Sequence, residues 1–139
     1  MQALLNIDEY FIEELHVKVN PKYKKSKETK GEIKTSVSIK RKGKEPVFMI
    51  QMSIQLNKTE KAFSSAPYYV FLILTGFFSF VTGTDQEIIN KMIGLNGPAI
   101  LYGVARGAVA QATANCIHGK LMLPTVNFVE AMKRGTANK

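Results

Sequence analysis

The fold is decided by residues 96–128, NGPAILYGVARGAVAQATANCIHGKLMLPTVNF. Pro98 is typical of the first position of a helix, where its missing N–H removes no hydrogen bond. The residues that follow are uncharged as far as Cys116, apart from Arg106. Small residues recur at three- to four-residue spacing and so share one side of this helix: Gly103, Gly107, Ala110 and Ala114. A helix this apolar must be buried on more than one side, and we expect it to pack on a sheet and on a second copy of itself.

Length and cysteine content restrict the class of protein. The 139 residues predict one domain, over residues 1–139, with a single hydrophobic core. Cys116 is the only cysteine, which excludes a disulfide within the chain and favours a reducing cytoplasm. The first 19 residues have no basic start and carry several carboxylates, so they are not typical of a signal peptide.

The net charge of +8 is concentrated in one region. Residues 18–44 hold eleven Lys and Arg against Glu28 and Glu32, and the rest of the chain is close to neutral. This distribution favours a charged loop and strand edge over a surface built throughout to bind a polyanion. Within it, residues 21–31 predict an exposed basic loop whose one apolar side chain is Tyr23.

Four stretches predict strands: residues 5–19, 32–42, 48–56 and 68–81. In the first, the side chains expected on one side are Ile7, Phe11, Leu15, Val17 and Val19, whereas Tyr10 and Ile12 break the alternation. The fourth stretch is uncharged over about the 18 residues that a membrane helix needs. Its aromatic and β-branched residues favour a central antiparallel strand instead, in which Gly76 marks a bulge or a close backbone approach.

Helices follow the strands. Thr84 and Glu87 form the pattern of a capping box, which predicts a short helix ending at Asn96-Gly97-Pro98, before the main helix. A final helix is predicted from Asn127 to Gly135. The order predicts an α+β fold, a four-stranded antiparallel sheet with helices packed on one face.

Three local patterns have a familiar order and spacing. Gly76-Phe77-Phe78-Ser79 ends the fourth strand, ILYGVAR at 100–106 starts the main helix, and LMLPTVNF at 121–128 precedes the last helix. They resemble the Gly-x-Phe-Ser, Ile-Leu-Phe-Pro-Tyr-Ala-Arg and Leu-x-Leu-x-Pro-Val-Asn-Phe patterns of the SecB family of protein-export chaperones. Thr125 stands in place of the proline before Val-Asn-Phe. The resemblance extends over roughly residues 5–134.

The resemblance implies an ATP-independent holdase that binds unfolded polypeptides or preproteins in apolar grooves between sheet and helices. It also implies a homotetramer, a dimer of dimers, whose main helices pack together through the small-residue side described above. The residues expected in a groove are Tyr23, Ile33, Val37, Ile100, Leu101, Val104, Phe128 and Met132. The alternative for each apolar residue of this set is a place in the core, and for Tyr23 a place on the surface.

Departures from the family concern its partners. Family members are acidic and dock the SecA motor through acidic groups on the exposed sheet face, whereas this chain is basic. Glu14 matches one such group, but Lys18 and Phe71 stand where others are expected. This difference favours a dedicated chaperone of one partner, such as an antitoxin, over a chaperone that hands cargo to SecA.

Two other classes of function stay open. One is a nucleic-acid-binding module built on residues 18–44, although a single aromatic residue among the lysines disfavours base stacking. The other is an assembly subunit whose apolar faces are all consumed by oligomer contacts. His16, His118 and Cys116 form no cluster typical of a metal site or a nucleophile pair, so we expect no metal, no cofactor and no enzyme.

Overall fold

The computed structural model describes residues 3–25 and 31–128. The elements in chain order are β1 (Leu5–Val19), β2 (Ile33–Arg41), β3 (Val47–Leu56), α1 (Glu60–Ser64), β4 (Tyr68–Phe80) and α2 (Gln86–Thr113). All strand pairs are antiparallel, and the sheet order is β1-β4-β3-β2. The predicted α+β class, with a four-stranded antiparallel sheet followed by helix, is confirmed. Met132 and the predicted final helix lie outside the described residues.

Strand β4 is the centre of the sheet and of the core. It pairs with β1 on one side and β3 on the other, and its even-numbered side chains from Tyr68 to Phe80 are buried beneath α2. This confirms the strand prediction for the uncharged stretch, since neighbouring strands satisfy its backbone groups. None of the helices in the described part of the chain is both long enough and apolar enough to cross a bilayer.

Gly76 marks a close approach between β4 and α2. A Cβ at this position would lie 2.8 Å from the Phe78 ring and 3.0 Å from Cδ1 of Leu101. A side chain there would separate the helix from the sheet, because both neighbours are completely buried. Of the two predicted roles for Gly76, the close approach is therefore the one observed.

Strand β1 corrects the predicted alternation. Its pairing with β4 shifts register between Ile7 and Glu9 and again between Ile12 and Glu14. Each extra residue moves the following side chains to the opposite face. Phe11 consequently points away from α2, opposite Thr75, with its ring 6.2 Å from that of Phe77. Tyr10 and Ile12 lie on the α2 side with Leu15, so the prediction that placed Phe11 there was wrong.

The sequence predicted two helices meeting at Pro98, but the structure has the single helix α2. It is one continuous helix with Pro98 in its interior, because one packed face, formed by the buried residues Ile89, Ile93, Gly97 and Leu101, continues across the proline. That packing compensates for the backbone hydrogen bond which proline removes. The capping box is also absent, since Asp85 is the N-cap residue and the Thr84 hydroxyl donates to the Val81 carbonyl.

Candidate functional site

Helix α2 holds the chain that follows it through two side chains one turn apart. The Tyr102 hydroxyl donates to the carbonyl oxygen of Pro124, and Arg106 Nε donates to the carbonyl oxygen of Leu123 at 3.1 Å. Burial raises the pKa of Tyr102, and the nearby Arg106 charge opposes this effect. We call residues 121–128 the return segment, because they run back along α2 from its C-terminal end.

The two ends of the return segment are fixed as well. Thr113, completely buried, donates from Oγ1 to the Val109 carbonyl and accepts from the Leu121 amide, both at 2.8 Å. At the other end, the Phe128 ring lies edge-on to Tyr102 with ring centroids 5.6 Å apart. The return segment is therefore a wall built from hydrogen bonds and aromatic contact. The sequence singled out the main helix and the LMLPTVNF motif but not the contact between them. The available signal was Arg106, the one charged residue between Pro98 and Cys116.

An open cavity of about 570 Å³ lies between α2 and this wall. Its lining residues are Leu95, Asn96, Ala99, Thr125, Val126, Asn127 and Phe128. Phe128, placed in a groove by the sequence, is 8% exposed and forms part of the cavity wall. The cavity can admit an apolar side chain of several carbons.

Strand β2 presents an uncovered apolar strip on the same side of the sheet. Its pairing with β3 directs the odd-numbered side chains toward α2, because they oppose buried residues of β3. We call Ile33, Thr35, Val37 and Ile39 the β2 strip. Val37 is 37% exposed and Ile39 is 39% exposed, whereas their partners Met52 and Ile50 have no exposed surface. The covering helix therefore stops short of this edge of the sheet.

The groove residues expected on α2 occupy different places. Leu101 has no exposed surface and packs in the core, so it is not available to a ligand. Ile100 is 38% exposed and Val104 is half-buried. Ile100 precedes Tyr102 by two residues, and Val104 precedes Arg106 by two, which is about 200° around a helix. Since Tyr102 and Arg106 hold the return segment, Ile100 and Val104 lie on the opposite flank of α2.

Handedness decides which flank faces which edge of the sheet. Consider the sheet seen from the α2 side, with β2 running upward. Residues of β2 whose side chains point toward the viewer then direct their main-chain N–H and C=O groups to the right, because they are L-amino acids. The even-numbered positions Glu32 and Lys42 bond to Asn57 and Val47, so the main-chain groups of the odd-numbered residues point away from β3. In this view β3 therefore lies to the left of β2. The right-handed α2, running downward, then turns Tyr102 and Arg106 toward β2. Ile100 and Val104 face β1, so the expected residues divide between two surfaces.

The β1 surface is apolar at its middle. Tyr10 and Ile12 are exposed on the α2 side, and Phe11 is 52% exposed on the other face. β1 ends the sheet opposite β2, and no strand of the described chain pairs with its outer edge. Both edges of the sheet therefore expose apolar side chains in the isolated subunit.

The side of α2 that carries the small residues is mostly exposed to solvent. Gly103, Gly107 and Ala114 are exposed, and Ala110 is half-buried. A Cβ at Gly103 or Gly107 would meet nothing within 4 Å in the described chain. At Gly97, by contrast, a Cβ would lie 2.5 Å from Cδ1 of Ile50. The subunit core explains Gly97 and Gly76, but it does not explain the two glycines on the exposed side.

Tyr23 anchors the start of the basic loop rather than projecting freely. It is half-buried, and its ring lies 5.1 Å from that of His118, which also contacts Tyr68 at 5.8 Å. His118 Nε2 is 2.7 Å from the Asn20 carbonyl oxygen, so this nitrogen carries the proton. The Asn20 amide in turn donates to the carbonyls of Phe63 and Ala66 at 2.9 Å. Sequence reasoning missed this contact between residues almost a hundred positions apart.

Glu14 lies on the sheet face opposite α2. It pairs with His16 at 2.8 Å, and His16 contacts the Phe71 ring, with centroids 6.2 Å apart. Lys18 Nζ lies 5.4 Å from the Phe63 ring centroid. The surroundings of Glu14 are thus aromatic and cationic on the side of His16, while on the other side Glu13 accepts a hydrogen bond from the Thr75 hydroxyl at 2.6 Å. Within residues 3–25 and 31–128, no three His, Cys, Asp or Glu side chains are close enough to hold a metal ion.

Burial affects one further titratable group near the end of α2. Tyr68 is 1% exposed, and its hydroxyl donates to the Gly119 carbonyl at 2.7 Å. Burial raises the pKa of Tyr68, the Cys116 thiol adds to the increase, and a hydrogen bond from the His118 backbone lowers it. Tyr68 and Tyr102 are therefore neutral donors that tie the end of α2 and the return segment to the core.

Comparison with known proteins bears on this fold and on the whole chain. The SecB-like chaperone Rv1957 of Mycobacterium tuberculosis, solved with a ChAD peptide from the HigA1 antitoxin, is similar with a TM-score of 0.65 and 13% identity, covering 88% of this chain and 91% of that one. A protein of unknown function from Streptococcus agalactiae gives a TM-score of 0.42 and 10% identity, covering 87% and 97%. No curated protein matches the sequence. The family model of preprotein translocase subunit SecB matches residues 1–138, and the chain therefore belongs to the SecB family of protein-export chaperones.

Proposed function

We propose that this protein is an ATP-independent holdase that binds non-native polypeptides in the cytoplasm and keeps them from aggregating. The observation that carries the proposal is the exposed β2 strip, which lies toward the flank of α2 that holds the return segment. A soluble monomer rarely exposes contiguous apolar surface without using it. Val37 and Ile39 supply such surface on a rigid strand, and extended segments are the ligands that fit a strand edge next to a groove.

A dedicated partner fits this chain better than SecA. The related fold of Rv1957 was solved with an antitoxin peptide, so a SecB-like subunit accommodates one defined client segment. The sheet face around Glu14 carries Glu13 as well, but His16, Phe71 and Lys18 take up the positions further along β1 and β4. We therefore propose a chaperone of one partner, such as an antitoxin, and expect weak or no binding to SecA.

The active form in this proposal is a homotetramer, a dimer of dimers. Gly103 and Gly107 have open space around their Cβ positions, so a second helix can approach α2 closely there. A second apolar surface for assembly is formed by Tyr10 and Ile12 of β1 and by the flank of α2 that faces them, which carries Ile100 and Val104. These surfaces are separate from the β2 strip, which leaves the strip open to a client.

The test is suppression of aggregation of a chemically unfolded client. Wild-type protein should suppress aggregation at molar ratios near one, and the double variant Val37→Asp with Ile39→Asp should lose most of this effect, because charges in the β2 strip repel apolar segments. The control is Ile88→Asp with Ile117→Asp, which changes two exposed apolar residues elsewhere. The proposal fails if wild-type protein does not suppress aggregation while fully assembled, as expected of a plain assembly subunit. It also fails if both double variants behave alike.

A further inference from the structure

The outer edge of β2 is an unfilled strand position. β2 ends the sheet, and no strand of residues 3–25 or 31–128 pairs with its outer edge. The Asn57 amide donates to the Glu32 carbonyl at 2.7 Å, and the Lys42 amide donates to the Val47 carbonyl at 2.8 Å. Antiparallel pairing alternates bonded and non-bonded pairs, so even-numbered residues bond to β3. The main-chain groups of Ile33, Thr35, Val37, Ile39 and Arg41 therefore point outward and are free to bond an added strand.

The two faces beside this edge differ in chemistry. The side chains toward α2 are the β2 strip, which is apolar apart from Thr35, followed by Arg41 at the end of the strand. The side chains on the other face are Lys34, Ser36, Ser38 and Lys40, all exposed. Lys34 and Lys40 are six residues apart, which is about 20 Å along a strand. A strand added here would therefore meet apolar neighbours on one face and lysines at both ends of the other.

We propose that the client adds to the β2 edge as a strand, and that the edge selects extended segments with the pattern acidic–apolar–polar–apolar–polar–apolar–acidic. The acidic residues pair with Lys34 and Lys40, and the apolar residues lie against the β2 strip. Because the pattern reads the same in both directions, either strand orientation places it correctly. This inference rests on the proposed holdase function and specifies the client chemistry of the same surface.

Charge supports this occupant over a basic or neutral one. β2 and the adjoining hairpin carry Lys34, Lys40, Arg41, Lys42 and Lys44. Arg41 is occupied by the hairpin and α2, donating to the carbonyls of Lys44 and Glu45 and to Gln86. Lys34 and Lys40 are in no ion pair within the described residues. Lysine on an edge strand can also serve to prevent edge-to-edge aggregation, and that role gives no preference among client peptides.

The first experiment uses peptides and full-length wild-type protein. A peptide with the core Glu-Val-Ser-Ile-Ser-Val-Glu should bind about fivefold or more tightly than the same peptide with Lys in place of Glu, and the difference should shrink at high salt. N-methylation at the apolar residues should abolish binding in an antiparallel arrangement, while N-methylation at the serines should not. The opposite result indicates parallel addition. Equal effects of both modifications, or none, overturn strand addition.

The second experiment uses variants of the protein. Lys34→Glu with Lys40→Glu should invert the preference between the Glu and Lys peptides. The control is Lys61→Glu with Lys91→Glu, which makes the same change in net charge at exposed positions away from β2. If the control inverts the preference equally, or the β2 pair leaves it unchanged, the charge selection is wrong. Aggregation suppression measured in parallel separates the outcomes, since wild type that suppresses aggregation without preferring the Glu peptide contradicts only this inference.

Discussion

Arg106 on α2 donates from Nε to the carbonyl oxygen of Leu123 at 3.1 Å, one helical turn after the Tyr102 hydroxyl that binds the next carbonyl, Pro124. These two bonds join a helix to an extended segment that has no ladder of its own. The segment forms one wall of the cavity beside α2, so its order decides whether the cavity keeps its shape.

Removing the Arg106 donor should loosen the return segment. Arg106→Met keeps the aliphatic stem and removes the hydrogen bond to Leu123, which we expect to lower the free energy of unfolding by about 1–2 kcal/mol. Hydrogen exchange at residues 121–126 should quicken while exchange in β3 and β4 stays slow. Gln111→Met, at an exposed position of the same helix, is the control. Unchanged exchange in the return segment would show that Arg106 does not hold it.

The turn after α2 depends on one buried hydroxyl. Thr113→Val keeps the shape of the side chain but leaves the Leu121 amide without its acceptor, so we expect a loss of about 1–3 kcal/mol in chemical unfolding. Thr113→Ser retains the hydroxyl and should cost less, through the lost methyl group alone. If Ser proves more harmful than Val, packing and not the hydrogen bond controls this turn.

Stability should fall at high pH because two tyrosines are held neutral. Burial raises the pKa of Tyr68 and Tyr102 above the ordinary value of 10.0. The unfolded chain loses these protons first, so their contribution is complete below pH 10 and is lost as the pH rises toward the folded-state pKa values. Denaturation midpoints of wild type should therefore decline above pH 10. Tyr102→Phe should show a shallower decline, and an identical pH profile would contradict the assignment.

Gly97 should tolerate no side chain for reasons internal to the subunit. Gly97→Ala places a Cβ 2.5 Å from Cδ1 of Ile50, which is completely buried and cannot move without disturbing the core. We expect a loss of about 1–3 kcal/mol in the free energy of unfolding. The control is the same substitution in an Ile50→Val background, which removes the Cδ1 atom that the new Cβ would meet and should reduce the loss. Equal losses in the two backgrounds would contradict the packing argument.

Gly103 should instead report on assembly. Gly103→Leu adds bulk to an exposed helix face, so the folded subunit should persist while the mass measured by light scattering falls below that of a tetramer. Lys58→Leu, exposed in the connection before β4, is the control for added apolar surface. A tetramer that survives Gly103→Leu would place the contact between subunits elsewhere.

Alternation and charge distribution sufficed to predict much of this fold from the sequence. In β2 the period of two over residues 33–41 placed Val37 on the side facing α2, because the strand has no bulge and pairs with β3 in one register. The aromatic and β-branched composition of residues 68–80 likewise identified the central strand. Local patterns were reliable where one local preference acted without competition.

Tertiary packing decided the rest. The core carries α2 through Pro98, although proline and the preceding Asn-Gly predict a boundary, because burial of Gly97 and Leu101 against Ile50 and Gly76 outweighs the local signal. The bulges in β1 turn Phe11 outward, and no alternation in the sequence reveals where an extra residue will be accommodated. The sequence by itself determined which residues are apolar and which segments are strand or helix. Only the packed structure decided that Leu101 is core while Val37 stays exposed, since burial depends on which partner covers a face.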